Sequence, residues 1–281
     1  MTQINETTQG VLDQISEGFD QNGAYNLRQN GVSICHGDSE HIRIRKKEDK
    51  PGIDILIDGD TKGERVFIPV VVSVSGMTDL VYNDFYIADG ADVTIVAGCG
   101  IHNDGCNDSR HDGIHAFHVG KNANVTYAEK HYGEGNGTGS RVLNPVTNIE
   151  VGRNSVFTMD TAQIKGVDST IRKTTVKLDK NASIKVMERL MTHGEQRAES
   201  RFVVDLNGEN SGANIISRSV AKDNSYQLFQ SVLNGNEMCS GHTECDAIIV
   251  GNAKISSIPE ITANNSDAAL IHEAAIGKIA G

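Results

Sequence analysis

Hydrophobic residues along this chain follow two periods, and the switch between them comes early. Over residues 1–30, Val11, Leu12, Ile15 and Phe19 recur at helical spacing, which predicts one short helix ended by Gly23. A terminal helix of this kind suits a cap over an exposed sheet end in a protein of stacked strands. From Gly31 onward the spacing is that of strands. The stretch ICHGDSEHIRIRKK alternates, and its basic run of Arg43, Arg45, Lys46 and Lys47 meets Glu48 and Asp49, as in a solvated strand end or turn. GIDILIDGD and RVFIPVVVSVSG also read as β, the second apolar enough to be buried on both faces.

A loose repeat follows. IADGADVTI (87–95), VGKNANVTY (119–127), VGRNSVFTM (151–159) and LDKNASIKV (178–186) each hold an apolar residue, a polar turn with Gly or Asn, a small residue and a β-rich run. The small residues Ala91, Ala123, Ser155 and Ala182 are 32, 32 and 27 residues apart, and VGNAKISSI (250–258) reads as a fainter fifth copy. Units of this length that cannot each bury a face of their own imply a stacked solenoid. Strand patterning between the copies makes it an all-β parallel β-helix, with Asn at corners because Asn tolerates the left-handed conformation. A sandwich of regular hairpins fits less well, since the interval exceeds its usual turn spacing. The expected organisation is a helical cap or arm over 1–30 and a β-helix over 31–281.

Composition narrows the chemistry. With 281 residues the chain can bury a sizeable core, and no Trp with only six Tyr makes that core largely aliphatic. A net charge of −11 argues against nucleic acid, which needs an excess of Lys and Arg. The opening MTQINETTQG is polar and no apolar run reaches about 18 residues, so neither a signal peptide nor a membrane span is expected. Five cysteines, Cys35, Cys99, Cys106, Cys239 and Cys245, then fit free thiols in a cytoplasmic protein better than a disulfide framework.

Two stretches could carry chemistry. Residues 98–118, GCGIHNDGCNDSRHDGIHAFH, hold Cys99, His102, Cys106, His111, His115 and His118. Thiolate and imidazole together suit zinc, iron or copper where four donors converge. The spacing matches no zinc-finger pattern, however, and strand alternation sends His115 and His118 to opposite faces. The plainer expectation is a glycine-rich connection whose histidines are exposed or hydrogen-bonded; the sharper one is a metal held by Cys99 and His102 with Cys106. Nucleotide, zinc-protease and nucleophile-elbow motifs do not occur, and GEGNGTGS (133–140) lacks the following Lys of a phosphate loop. Paired carboxylates such as Asp58 and Asp60 could serve glycoside cleavage, the reading of a carbohydrate-active β-helix, but the chain has few aromatic sugar platforms.

The second stretch is 241–279. Cys245 beside Asp246 is followed 27 residues later by His272 and then Glu273, so stacked layers could bring thiol and imidazole together. Alternation puts Ala247 and Ile249 on the face of the thiol, which favours a small buried hydrophobe.

ECDAIIVGNAKISSIPEI followed by DAALIHEAAIGKI resembles the closing signature of the SufB/SufD family, scaffold proteins of SUF iron–sulfur cluster assembly, and the likeness extends back through the repeats over about residues 30–281. The resemblance implies a right-handed β-helix without turnover of its own. It implies pairing through the C-terminal coils, as a homodimer or with a SufB/SufD-type paralogue, and an ABC-type ATPase as partner. Cys245 takes the place of the family's essential cysteine, His272 that of its histidine, and Glu273 the SufB-type glutamate where SufD has Gly. These residues would accept sulfur or hold iron in a transient iron–sulfur cluster. Cys99 falls where SufB proteins carry a cysteine in a G-C-[ST]-A-P context, but its neighbours differ here. The family's helical ATPase dock is expected to be missing, since the sequence stops at GKIAG. A metal-binding protein centred on Cys99–His118 is the alternative.

Overall fold

The computed structural model describes residues 4–279, so the ends of both expected segments, 1–3 and 280–281, lie outside the described residues. Helix α1 (Glu6–Ile15) is capped by Asn5, whose Oδ1 accepts from Thr8 N at 2.8 Å. Strands β1 (Ala24–Gln29) and β2 (Val32–Gly37) form an antiparallel pair, as do β3 (Ile42–Lys46) and β4 (Gly52–Ile57).

Beyond them each coil gives one strand to each of two parallel sheets. The first coils are β4 with β5 (Lys62–Val72), β6 (Thr78–Ile87) with β7 (Asp92–His102), and β8 (Ser109–Val119) with β9 (Asn124–Glu134). The next are β10 (Arg141–Leu143) and β11 (Val146–Val151) with β12 (Val156–Lys165), then β13 (Ser169–Leu178) with β14 (Ser183–Thr192). Three more close the series: β15 (Arg197–Leu206) with β16 (Ser211–Asp223), β17 (Tyr226–Gly235) with β18 (Cys239–Gly251), and β19 (Lys254–Ala263) with β20 (Ala269–Ile279). The chain is thus a β-solenoid of about eight turns, as the repeats predict.

The repeat marks one corner of every coil. Ala91, Ala123, Ser155 and Ala182 stack there, and in-register pairing carries the row on through Ser211, Cys239 and Ala268. Asn122, Asn154, Asn181 and Asn210 all turn this corner with φ between 54° and 60°. Their side chains form a ladder, Asn181 donating to Asn154 at 2.9 Å and Asn154 to Asn122 at 3.1 Å. VGNAKISSI does not join the row. It turns the opposite corner, from β18 to β19, where Lys254 pairs with Tyr226; its small residue and turn belong to another stack that looks alike in sequence.

The interior has two halves. Near the repeat corner it is apolar, with Phe117 stacked on Phe85 at 4.3 Å and edge-on to Phe157 at 5.2 Å. Farther along the strands it becomes polar. Helix α1 does not cover a sheet end. Its Val11, Leu12 and Ile15 lie on β5, β7 and β9, across the outer face of one sheet, and residues 24–29 already form a strand. Glycines admit this approach, because a Cβ at Gly98 would sit 2.4 Å from Ile15 O and one at Gly100 2.2 Å from Val11 Cγ1. The basic run lies partly inside, with Lys47 donating to Asp54 and Asp84 from a buried position. No described helix is long and apolar enough to cross a membrane.

Gly98→Ala is expected to lift α1 off the sheet at a cost of about 1–3 kcal/mol, speeding limited proteolysis before residue 20 while the coils stay resistant. Unchanged cleavage there would count against the docked helix.

Candidate functional site

Parallel stacking in register brings side chains at the same repeat offset into rows. Six residues beyond the small corner residue the row runs Ala97, Glu129, Thr161, Glu188, Ser217, Cys245 and Ala274, all directed inward. Cys245 therefore sits in the row that carries the buried carboxylates. Glu129 and Glu188 are neutralised from the facing sheet by Arg172, which donates to Glu129 and lies 3.8 Å from Glu188 Oε1. Tyr127 OH donates to Glu129 at 3.0 Å, and Ser217 and Ser200 donate to Glu188. Burial alone would raise the Glu129 pKa, but the Arg172 guanidinium and His131 hold it well below the carboxylate range.

Cys245 is 2% exposed and its thiol pKa is raised, chiefly by burial; the hydroxyl of Ser257 on β19 opposes this, and Glu188 and Asp246 add to it. One further described coil, β19 with β20, lies above it. Among the described residues β19 and β20 are the outermost strands of their sheets on this side. In register above Cys245 lies Ala274, which roofs the thiol with a single methyl. His272, half-buried, is level with Thr243, two positions before Ala274, which is level with Cys245. Glu273 does not join them. It is level with Glu244 on the outward face, and its Oε2 lies 3.7 Å from His242 Nε2.

The residues of 98–118 are dispersed. Cys99 on β7 is buried, and burial pushes its thiol pKa well up. His111 is buried against Asp79, its Nδ1 3.0 Å from Oδ2, and Asp79 also accepts from Arg28. His115 is buried and stacked on Phe85 with ring centroids 6.0 Å apart. His102 at the end of β7 bonds Glu134 at 3.0 Å and Asp104 at 2.8 Å, while Cys106 is exposed in the following loop. His118 points outward onto Tyr86, away from His115, as alternation predicts. The structure thus does not bring Cys99, His102, Cys106, His111 and His115 together. Among the described residues the group of His, Cys and carboxylates within mutual metal-ligand reach is His242, Glu244 and Glu273. Sequence reasoning missed Glu129, Arg172, Glu188, His242 and Glu244. The offset of Glu129 and Glu188 from the aligned corners is visible in the sequence; the outer trio needs the register between β18 and β20.

Residues 81–281 match the family described as SUF system FeS cluster assembly, SufBD core domain. The chain belongs to this family. It is similar to an iron-sulfur cluster assembly SufBD family protein of Methanocaldococcus jannaschii, 32% identical over 57% of this chain and 51% of that one. A SufBD family protein of Archaeoglobus fulgidus is 28% identical over 86% of this chain and 64% of its own length, and one of Pyrococcus horikoshii 27% identical over 61% and 52%. The chain spans between about half and two thirds of the length of these relatives.

His115 gives the interior a pH signature. Burial pushes its pKa down to about 4, Glu129 working against the shift and His111, His131 and Arg172 with it. The unfolded imidazole titrates near 6.5. Between these values the unfolded chain binds a proton that the native one refuses, so stability falls as pH falls, by about 3 kcal/mol at pH 4. Urea unfolding from pH 7 to 4.5 should show this slope and His115→Gln should flatten it; an equal slope in both would refute the assignment.

Proposed function

We propose that the chain is a non-enzymatic scaffold of SUF-type iron–sulfur cluster assembly, in which Cys245 and His272 receive iron and sulfide at the open end of the solenoid. The observation that carries this reading is the stacking of β20 on β18, which sets His272 on the inward face of the coil next to Cys245 with the small Ala274 in register with the thiol. Iron and sulfide are cargo here, and thiolate with imidazole is suitable ligation for them. One thiolate per chain is too few for a cluster. A two-fold arrangement of open ends would supply two thiols and two imidazoles.

The end has the character of an interface. The edges of β19 and β20 are unpaired among the described residues, and Ile258, Ile261, Ile271, Ile276 and Ile279 are exposed there. The partner in this reading is a second copy or a SufB/SufD-type paralogue, and an ABC-type ATPase drives the assembly. Family membership supports both. Glu273 enters this reading from the outer wall, as the neighbour of His272 in sequence rather than as a third inward ligand.

Because burial raises the Cys245 pKa, ligation must displace the thiol proton. Anaerobic reconstitution with ferrous iron and sulfide should therefore yield more chromophore at pH 9 than at pH 7. Cys245→Ala should abolish it, Ala274→Leu should reduce it several-fold by roofing the thiol, and Cys99→Ala should leave it. Full chromophore in Cys245→Ala with loss in Cys99→Ala would reject the site.

A further inference from the structure

On the outer wall of the last two coils, the side chains of His242, Glu244 and Glu273 converge with ligand atoms all within 4.8 Å of one another. They come from adjacent strands in fixed register, His242 and Glu244 two residues apart on β18 and Glu273 level with Glu244 on β20. The His242 ring is already oriented. Its Nδ1 lies 3.0 Å from Asn214 Oδ1 on β16, and in the tautomer that donates to this oxygen the Nε2 lone pair is free on the side of Glu273 Oε2, 3.7 Å away. This is the support that metal-binding histidines use: a hydrogen bond from the far nitrogen that fixes tautomer and direction.

From this geometry we propose that His242 Nε2, Glu244 and Glu273 bind a divalent first-row cation on the outer wall, separate from the inward-facing thiol. One nitrogen and two carboxylates suit ferrous iron, manganese or zinc and leave open coordination positions toward solvent. Donors bound at about 2.0–2.2 Å to one ion lie about 3–4 Å apart. The His242–Glu273 separation is already in that range, and exposed Glu273 can swing to close the rest.

Charge favours the same conclusion. Glu244 and Asp246 share one guanidinium, Arg218, whose contacts are long at 3.5 and 3.8 Å, and Glu273 adds a further carboxylate level with Glu244. Arg218 is more than half exposed and can turn to Asp246 when a cation takes Glu244. The outer wall thus holds a negative, partly preformed site beside the end where Cys245 lies. Ferrous iron as the ion rests on the assembly reading; the ligand set does not.

The test is anaerobic equilibrium dialysis of the full chain against ferrous iron without sulfide, with bound iron counted by elemental analysis. Wild type is expected to hold one ion per chain at this site. His242→Ala and Glu273→Gln should each weaken binding at least tenfold. Asn214→Leu should weaken it about tenfold although it touches no ion. Cys245→Ala should bind as wild type does, which keeps this site distinct from the thiol and from any failure of cluster formation there. The three positions other than Cys245 point outward, so thermal melts should not move. Should His242→Ala melt early, Glu273→Gln decides alone. Absence of bound iron, binding untouched by Glu273→Gln, or loss in Cys245→Ala would each overturn the proposal.

Discussion

The constraint on which this molecule depends is parallel stacking in register. Strands pair across about eight turns with almost no slippage, so the residue at a given offset in one coil contacts its counterparts in the coils above and below. An apolar row is self-supporting under this rule. A charged row is not, and Glu129 and Glu188 would repel across Thr161 without Arg172 from the facing sheet. Removing one member of such a buried set leaves an uncompensated charge, which costs far more than the intact set contributes. The polar half of the interior is therefore tied to the stacking register.

The same rule separates two kinds of chemistry at the last coils. Alternation sends Cys245 and His272 into the interior and His242, Glu244 and Glu273 to the outer wall, although His272 and Glu273 are adjacent in the chain. Burial makes the inner thiol a weak acid, whereas the outer carboxylates meet water. Family membership gives this division a context in iron–sulfur cluster assembly.

Much of this was legible in the sequence, and the failures have physical causes. The corner repeat and its left-handed asparagines announced a solenoid, because only stacking buries such units. The His115–His118 divergence followed from period-two alternation. The same alternation, counted from the aligned corners, would have placed Glu129, Glu188 and Cys245 in one row, but charged residues in an interior run against expectation. VGNAKISSI misled because both corners of a coil need a turn and a small residue. The placement of α1 was illegible, since Gly98 and Gly100 read as loop residues until the helix is seen above them. Glu273 was grouped with Cys245 through the family resemblance, and the register between β18 and β20 that sets them on opposite faces is not visible in the sequence. The Cys99–His118 stretch is dense in donors for the opposite reason: a turn and two strands direct neighbouring residues to the interior, the loop and the outer face.

The proposed iron chemistry lies on the last two described coils, above coils whose buried rows are structural. Diffraction data collected on either side of the iron absorption edge, from crystals of the anaerobically reconstituted protein, test this most directly. The predicted result is iron density confined to the last two coils and bonded to Cys245 Sγ at the open end. Iron held between Cys99 and Cys106, with no density at the last two coils, would contradict it.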